Sequence, residues 1–573
     1  MNRRTFLKWA GASAAAPGLA AMNPSAAEVL AVNPENVKAR NRNRSTVVCR
    51  HGMACTSQPL ATVAALDVLK AGGNAIDAAI AANAMLGLVE PMMNGIGSDL
   101  FAIAWIEKEQ RLVGLNASGR SAYDFSLKDA KRLGLKSIPR NSPLSWNVPG
   151  CVSGWAALSG THGKLPLAKI VEPAVRYALE GFPVSPVIAR DWKLAIEKHP
   201  TLMAVFAVDG RVPEFGDIFA NHKLAAALEA IGKEGADAFY RGESADRIVA
   251  HSSAHGGRLS MKDFEEHTAT WVDPVSTNYR GYDVWEIPPN GQGIAALQML
   301  NMLETFDFTA MTPNSAEHLH LLAEAKKLAF EDRAVYYADP EFAKVPTEAL
   351  ISKEYGKSHA KLIDPRKAAT ELTYGDPALD SDTIYLTTAD DEGNMVSFIQ
   401  SVYSAFGSQI APDGTGFAMQ NRGQSFSLDP KHRNCLEPHK RPFHTIIPAF
   451  MTKDGKPVMS FGVMGGDFQP QGHVQIVMNI VDFHMSPQDA GDQPRIAHSG
   501  SPEPTGGTMR AGGVLEFEEG IPDSVKVGLA ERGHRISPNT NAQGGYQAIW
   551  REEGPRRYFG ASDPRKDGMA AGY

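Results

Sequence analysis

The alternation of apolar and polar residues is clearest in one hairpin, two-thirds of the way along a chain of 573 residues. Residues 383–388 (TIYLTT) predict a β-strand, the polar run ADDEGN predicts a tight turn, and residues 395–402 predict the returning strand. The first strand begins on a hydroxyl residue, Thr383, directly after an acidic one, Asp382. This start distinguishes the hairpin from others of its kind.

Helical periodicity dominates the part of the chain before this hairpin. Residues 57–89 predict two alanine-rich helices broken at Gly72-Gly73, where glycine can cap the first helix, and Pro91 stops the second. Residues 100–120 predict two strands around a polar turn. Residues 150–370 are mostly helical patterns, interrupted by an antiparallel strand pair in VSTNYRGYDVWEIPP.

Short strands and glycine turns dominate the chain after residue 383. The segment GKPVMSFGVMGGDFQPQGHVQIVMNIVDF predicts a strand, a Gly-Gly turn and then a helix. The chain shows no internal repeat and no long linker. This mixture of helices and hairpins predicts an α/β (α+β) body in which sheets are flanked by helices.

The first 27 residues predict a targeting segment. Arg3-Arg4 precedes TFLK and a short apolar stretch, which ends at Ser25-Ala26-Ala27, an A-x-A-like cleavage site. The stretch is too short to span a bilayer, and the paired arginines are typical of a twin-arginine signal. We therefore expect residues 1–27 to be a signal peptide, with export to the periplasm and no membrane attachment after its removal.

Composition narrows the chemistry further. The net charge of −7 gives no reason to expect nucleic acid as a partner. The four cysteines (Cys49, Cys55, Cys151 and Cys435) fit no zinc spacing, and a chain that folds before export needs no disulfide. His318 and His320 lie two apart in a helical pattern and face different sides. We expect no metal and no cofactor.

Long motifs in this sequence resemble the γ-glutamyltranspeptidase (glutathione hydrolase) family over nearly the whole mature chain. They include ALDVLKAGGNAIDAAIAANAMLGLVEP, VPGCVSGWAAL, LPLAKIVEPAVRYALEGFPVS, YRGYDVWEIPPNGQG, KRPFHTIIPAF and YFGASDPRKDGMAAGY. The resemblance implies the four-layer αββα sandwich of the N-terminal-nucleophile hydrolases. It also implies a precursor that cuts itself between Asp382 and Thr383. The fragments, 28–382 and 383–573, would then remain together as a heterodimer.

The chemistry of such a cut explains why a hydroxyl residue opens the strand. A threonine hydroxyl is a poor nucleophile near neutral pH unless a base is adjacent. After the cut, Thr383 would carry its own α-amine, with a reference pKa of about 8, within reach of its Oγ. In the uncut chain the same nitrogen is an amide and cannot accept the proton. The resemblance therefore implies that Thr383 is the nucleophile and that the precursor is inactive.

The resemblance also assigns the groups around the nucleophile. The Gly465-Gly466 pair, between a strand and a helix, matches the family's oxyanion hole, and unpaired backbone N–H groups at such a turn suit that role. Ser401, in IQSVYSAFG, matches a hydroxyl that hydrogen-bonds the nucleophile.

The acyl pocket departs from the family pattern. The positions that hold a γ-glutamyl group are matched here by Tyr403, Arg422 and Ser425, the last in place of an aspartate. The paired serines are matched by His444-Thr445. The arginine that binds the substrate carboxylate does not align directly, and Arg120 lies about two positions away. If Arg422 faces the pocket and not the surface, it favours an anionic acyl group over an ammonium.

Three functions remain open from the sequence. The first is a self-processing enzyme that transfers the acyl group of a γ-glutamyl amide to water or to an amine. The second is an amidohydrolase for another acidic acyl amide, of the oxamate or glutaryl (cephalosporin acylase) kind. The third is a binding protein that has kept the fold and lost the reaction.

The short path between residues 426 and 440 also predicts a site without a lid.

Overall fold

The computed structural model describes residues 44–196, 199–370, 382–501, 503–505, 509, 511–540, 543–554 and 556–573. The predicted signal peptide, residues 1–27, lies outside the described residues. The predicted cut falls at the edge of a described segment, which starts at Asp382.

Two seven-stranded antiparallel sheets form the centre of the molecule. The first sheet contains the predicted hairpin, and its strands in spatial order are Met569–Gly572, Met53–Thr56, Asp382–Ala389, Met395–Tyr403, Asp99–Ile106, Arg111–Ala117 and Thr270–Val272. The strands of the second sheet in spatial order are Val47–Cys49, Arg557–Ser562, Tyr546–Glu552, Lys456–Val463, Ala449–Lys453, Tyr282–Glu286 and Val275–Tyr279.

Helices cover the outer face of each sheet. Those that pack with the first sheet are Pro59–Lys70, Ala75–Val89, Leu127–Arg132, Cys151–His162, Leu167–Glu180, Pro186–Ile196, Pro200–Phe206, His222–Glu234, Asp237–Tyr240, Glu243–Ala254 and Met261–Glu265. Those that pack with the second are Gly293–Leu303, Ala316–Tyr336, Thr347–Leu350, Lys353–Ala360, Gln469–Val481, Pro487–Asp492 and Asp523–Glu531. Smaller sheets join Ile496–Ser499, Val514–Phe517 and Ile536–Thr540, and pair Phe182–Pro183 with Ile218–Phe219.

Three hydrophobic cores separate four layers. Alternate residues of one strand show the arrangement, because Leu100 and Ala102 pack under the first helical layer while Phe101 and Ile103 face the second sheet. The core between the sheets is completed by large side chains from both of them, among them Tyr385. The order helix, sheet, sheet, helix confirms the predicted αββα sandwich.

The local predictions agree closely with the observed elements. The hairpin strands are Asp382–Ala389 and Met395–Tyr403, and the alanine-rich helices are Pro59–Lys70 and Ala75–Val89. Gly72, in the break between those helices, has a φ of 95°, which suits glycine. The predicted strand–glycine–helix unit is also present.

One carboxylate organises the turn of the Thr383 hairpin. Oδ1 of Asp390 accepts hydrogen bonds from the backbone N–H groups of Glu392, Gly393 and Asn394, at 3.0, 2.9 and 3.0 Å. Oδ2 accepts from the backbone N–H of Ala75 at 2.9 Å. Ala75 is the first residue of a helix in the outer layer. The carboxylate therefore ties the hairpin turn to that layer, and Oγ1 of Thr388 adds a second bond by donating to the carbonyl oxygen of Ala75 at 2.7 Å.

Replacing Asp390 by alanine should destabilise the fold. The change removes the carboxylate that accepts from four backbone N–H groups, although the N–H of Gly393 keeps the carbonyl oxygen of residue 390 at 3.3 Å, and we expect a loss of roughly 3 kcal/mol in the free energy of unfolding. Denaturant unfolding measures this loss. Asp391→Ala, an exposed neighbour in the same turn, is the matched control and should change stability by less than about 0.5 kcal/mol. Equal losses for the two variants would contradict the assignment.

Candidate active site

Thr383 is the second residue of its strand, and its side chain is buried, with 1% of its surface exposed. Its Oγ1 donates a hydrogen bond to Oγ of Ser401 on the neighbouring strand, at 3.3 Å. On another side, Nε2 of Gln469 donates to Oγ1 of Thr383 at 3.5 Å. The hydroxyl is thus held between an adjacent strand and the first residue of a helix.

The strand that carries Ser401 ends in an unusual backbone conformation. Tyr403 pairs with Asp382 in the ladder and has a φ of 81°, a value rare for residues other than glycine. Its backbone N–H donates to Oγ of Ser401 at 2.8 Å. Ser401 therefore accepts from both the nucleophile position and the turn. Strain of this kind is often found at functional sites.

The Gly465-Gly466 pair connects a strand of the second sheet to the helix Gln469–Val481. The φ values of the two glycines are 118° and 55°, in the region that glycine adopts without strain. Among the described residues, neither backbone N–H of the pair has a hydrogen-bond acceptor. Both donors are available to a ligand, as an oxyanion hole requires.

Two further residues, not singled out from the sequence, hold this glycine turn in place. Nε2 of Gln292 donates to the carbonyl oxygens of Gly466 and Thr445, both at 2.8 Å. Oε1 of Gln292 accepts from Nη1 of Arg333 at 2.7 Å, and the same Nη1 pairs with Asp467 at 2.7 Å. Gln292 therefore joins the glycine turn to the acyl pocket. Its place in the PPNGQG motif is the only sequence signal for it.

Arg422 is fully buried, which excludes the surface position considered from the sequence. Its guanidinium carbon lies 3.8 Å from the centre of the Tyr403 ring. Nη1 donates to Oγ1 of Thr445 at 2.9 Å, while Nε and Nη2 have no partner among the described residues. Burial lowers the pKa of Arg422 to about 10, against the opposing effects of Tyr403 and Asp99, so the group remains charged at neutral pH.

His444 lies next to this pocket but its ring is occupied. Nδ1 accepts from the N–H of Ile446 at 3.3 Å, so Nε2 carries the proton and donates to Oδ2 of Asp99 at 3.1 Å. Burial lowers the pKa of His444 well below its usual value. Burial raises the pKa of Asp99 to about 7, although Arg422 opposes the change. Both ring nitrogens of His444 are therefore occupied by hydrogen bonds, and His444 and Asp99 form a buried structural pair.

The two other predicted pocket residues have different environments. Ser425 is buried in a short turn that begins at Arg422, and its hydroxyl has no hydrogen-bond partner among the described residues. Arg120 instead donates to both carboxylate oxygens of Glu341, each at 3.1 Å. No hydrogen bond or ion pair among the described residues joins Arg120 to the Arg422 pocket. The structure therefore brings together Thr383, Ser401, Tyr403, Arg422, Ser425 and Thr445, with Gly465 and Gly466 beside them.

One group of side chains has the spacing of a metal site. Ligand atoms of His320, Glu324 and His534 lie within 4.8 Å of one another. They already have partners, because Nδ1 of His320 lies 2.8 Å from Nε2 of His534, and Glu324 pairs with Lys327 at 2.7 Å. The sequence predicts that His318 faces a different side of the helix from His320. The ring of His318 indeed contacts that of Phe483 and lies outside this group. All four cysteines are buried free thiols.

An αββα sandwich with a buried hydroxyl at the start of a central strand, beside two available N–H donors, defines the class of N-terminal-nucleophile hydrolases. A sequence profile described as "Gamma-glutamyltranspeptidase" matches residues 61–573. The chain belongs to the γ-glutamyltranspeptidase family.

Similar proteins include more than one named activity. The "Glutathione hydrolase-like YwrD proenzyme" of Bacillus subtilis is 38% identical over 92% of this chain and 100% of its own length. The "Oxamate amidohydrolase proenzyme" of Klebsiella pneumoniae is 32% identical, over 92% and 100%. The crystal structure of cephalosporin acylase from Bacillus halodurans superposes with a TM-score of 0.85, at 42% identity, over 92% of this chain and 97% of the other.

The predicted twin-arginine signal is confirmed as well, while its end at residue 27 stays a prediction. A twin-arginine translocation signal profile matches residues 1–20, which supports export to the periplasm. Among the described residues, no helix is both long and apolar enough to cross a membrane.

A side chain at Gly466 should impair the reaction more than the fold. Its φ of 55° is unfavourable for a β-branched residue, so Gly466→Val would re-aim or crowd the N–H donor. We expect turnover to fall by roughly a hundredfold or more. Steady-state kinetics on protein shown to be folded and cut measures this. Gly455→Val, at a turn with a φ of 73° and open space around it, is the matched control for backbone strain. Normal turnover in Gly466→Val would exclude this loop as the oxyanion site.

Proposed function

We propose that this chain cuts itself between Asp382 and Thr383 and then hydrolyses amides through an acyl-Thr383 intermediate. The observation that carries the proposal is the position of the Thr383 hydroxyl, buried between Ser401 and Gln469 at the start of a strand. The two unpaired N–H groups of Gly465 and Gly466 on the connected turn supply a site for the oxyanion.

The proposed reaction repeats one set of steps on two substrates. In self-cleavage, Oγ of Thr383 attacks the carbonyl carbon of Asp382, the C–N bond breaks, and the nitrogen takes the proton and becomes the α-amine. Water then hydrolyses the ester. In turnover, Oγ attacks the amide carbonyl of the substrate and gives its proton to that α-amine, which passes it to the leaving amine. Water, or an amine acceptor, then releases the acyl group.

The two fragments should remain associated after the cut. In the first sheet, strands of the 28–382 fragment flank the Thr383 hairpin on both sides, because Met53–Thr56 pairs with one of its strands and Asp99–Ile106 with the other. In the second sheet, Tyr282–Glu286 of the larger fragment pairs with Ala449–Lys453 of the smaller one. Separation would break several hydrogen-bonded ladders and open three cores, so we propose a heterodimer.

Arg422 indicates the class of acyl group. A buried guanidinium with two nitrogens unpartnered is costly, and a carboxylate of the substrate would offset that cost through a bidentate contact. A γ-glutamyl group, the first candidate from the sequence, carries such a carboxylate. Its ammonium, however, would face Arg422, with the neutral Ser425 at the position where the family has an aspartate.

This charge arrangement favours the second candidate, an acidic acyl group without an ammonium. Glutaryl and oxalyl groups are of this kind, and the similar proteins include one named oxamate amidohydrolase and one named cephalosporin acylase. Their acyl groups could pair with Arg422 without burying a second cation. A non-catalytic binding protein has no comparable support from the site.

Self-cleavage is tested on a denaturing gel. Purified protein should separate into two fragments, and N-terminal sequencing of the smaller one should begin at Thr383. Thr383→Ala should remain a single chain because it has no Oγ to attack the peptide bond. Thr383→Ser, which keeps the hydroxyl, is the matched control and should still be cut. A new N-terminus elsewhere, or an intact wild-type chain, would exclude the proposal and favour a binding protein.

Acyl specificity is tested by comparing kcat/KM for γ-glutamyl and glutaryl p-nitroanilides. The wild type should prefer the glutaryl compound, and Arg422→Gln/Ser425→Asp should shift the ratio toward γ-glutamyl by roughly ten- to a hundredfold, equivalent to about 1–3 kcal/mol for one charged contact. Thr445→Val, which removes the neutral acceptor of Arg422 but keeps the charge, is the control. An unchanged ratio would show that these residues do not line the acyl pocket.

A further inference from the structure

Gln469 is the second side chain that contacts the hydroxyl of Thr383, and no motif in the sequence indicated it. It is the first residue of the helix Gln469–Val481 and is completely buried. Its Oε1 accepts a hydrogen bond from the backbone N–H of Ile447 at 2.9 Å. Its Nε2 reaches Oγ1 of Thr383 at 3.5 Å.

The backbone contact settles which end of the amide faces Thr383. Because the N–H of Ile447 can only donate, the atom opposite it must be the carbonyl oxygen of Gln469. The NH₂ group is therefore directed at Thr383. A distance of 3.5 Å is long for a hydrogen bond, but contacts to a catalytic group commonly shorten when the reacting complex forms.

Gln469 and Ser401 contact the hydroxyl in opposite senses. Oγ1 of Thr383 donates to Ser401, whereas Gln469 donates to Oγ1 of Thr383. When Oγ has given its proton to the α-amine, or leaves the acyl ester as water breaks the C–O bond, it carries negative charge. A donor aimed at that oxygen stabilises those stages, as N–H donors do for the carbonyl oxygen in an oxyanion hole.

We infer that Gln469 is a catalytic residue, whose amide N–H stabilises the Thr383 oxygen as a leaving group when the ester is hydrolysed. The inference rests on the proposed self-cleaving function and adds a group to it. In the ester stage, water gives a proton to the α-amine as its oxygen adds to the acyl carbon, the bond from that carbon to Oγ breaks, and the α-ammonium returns the proton to Oγ. Gln469 supplies a hydrogen bond throughout and exchanges no proton.

Gln469→Glu is the discriminating variant. A glutamate keeps an oxygen to accept from Ile447 but, when ionised, has no donor for Thr383. We expect ester hydrolysis to slow by roughly tenfold or more, so that uncut protein contains an ester that hydroxylamine cleaves and anilide substrates give a larger burst before a slower steady state. The defect relative to wild type should shrink as the pH falls, because a neutral carboxyl can donate again.

Gln475→Glu is the matched control on the same helix. Gln475 is also buried, accepts from the N–H of Ile496 and donates to the carbonyl of Ile496, both at 3.0 Å, but does not contact Thr383. It should cause a similar loss of thermal stability and leave the ester and burst measurements unchanged. If Gln469→Glu does not fold, Gln469→Met provides the test, with the same slow ester step and no recovery at low pH.

The outcomes separate this inference from the proposed function. If the wild type is not cut, the proposed function is wrong, and the inference, which rests on it, is wrong as well. If the wild type and Gln475→Glu are cut and the Gln469 variants match them in ester content, burst and pH dependence, the proposed function stands and Gln469 has no catalytic role. A defect common to the Gln469 and Gln475 variants would show a structural role only and would overturn the inference.

Discussion

The backbone nitrogen of Thr383 is an amide in the uncut chain and an amine after the proposed cut, and in the proposed mechanism this difference decides when the site can turn over a substrate. The hydroxyl of Thr383 already lies between Ser401 and Gln469 in the uncut chain, so these contacts form before the cut. Only the base is missing. A protein built in this way can assemble its whole site during folding and still be inactive until one peptide bond breaks.

That constraint gives a reason for the position of the proposed nucleophile inside a sheet. A strand in the middle of a seven-stranded sheet is held by ladders on both sides, and the buried Asp390 fixes the hairpin turn to the outer helices. The interior position protects the hydroxyl geometry when the chain before it is cut. Because both sheets combine strands from the two prospective fragments, the peptide bond can break without loss of the surrounding packing.

Local patterns predicted the secondary-structure elements well. They did not predict the side-chain contacts between distant parts of the chain that hold the site together. The hairpin was predicted at 383–388 and 395–402 and observed at Asp382–Ala389 and Met395–Tyr403, since alternation is a local signal. The partners of Gln292 are Arg333 and the Gly466 carbonyl, on elements 41 and 174 residues away. No pattern within a short window indicates such bonds, so the residues that hold the site together were missed.

The same limit applies to the acyl pocket, where family resemblance located positions but not their partners. His444 matches a substrate-binding serine, yet its ring is held by Asp99 and the N–H of Ile446, so only its neighbour Thr445 presents a side chain to Arg422. Among the described residues, Nε and Nη2 of the buried Arg422 then have no hydrogen-bond partner, and the ring of Tyr403 lies beneath the guanidinium. In the proposed function this guanidinium selects the ligand by its charge before its shape, since an unpaired charge in a dry site costs more than an imperfect fit. Two departures from the family pattern, Arg422 and Ser425, therefore support the same proposal, an anionic acyl group without an ammonium.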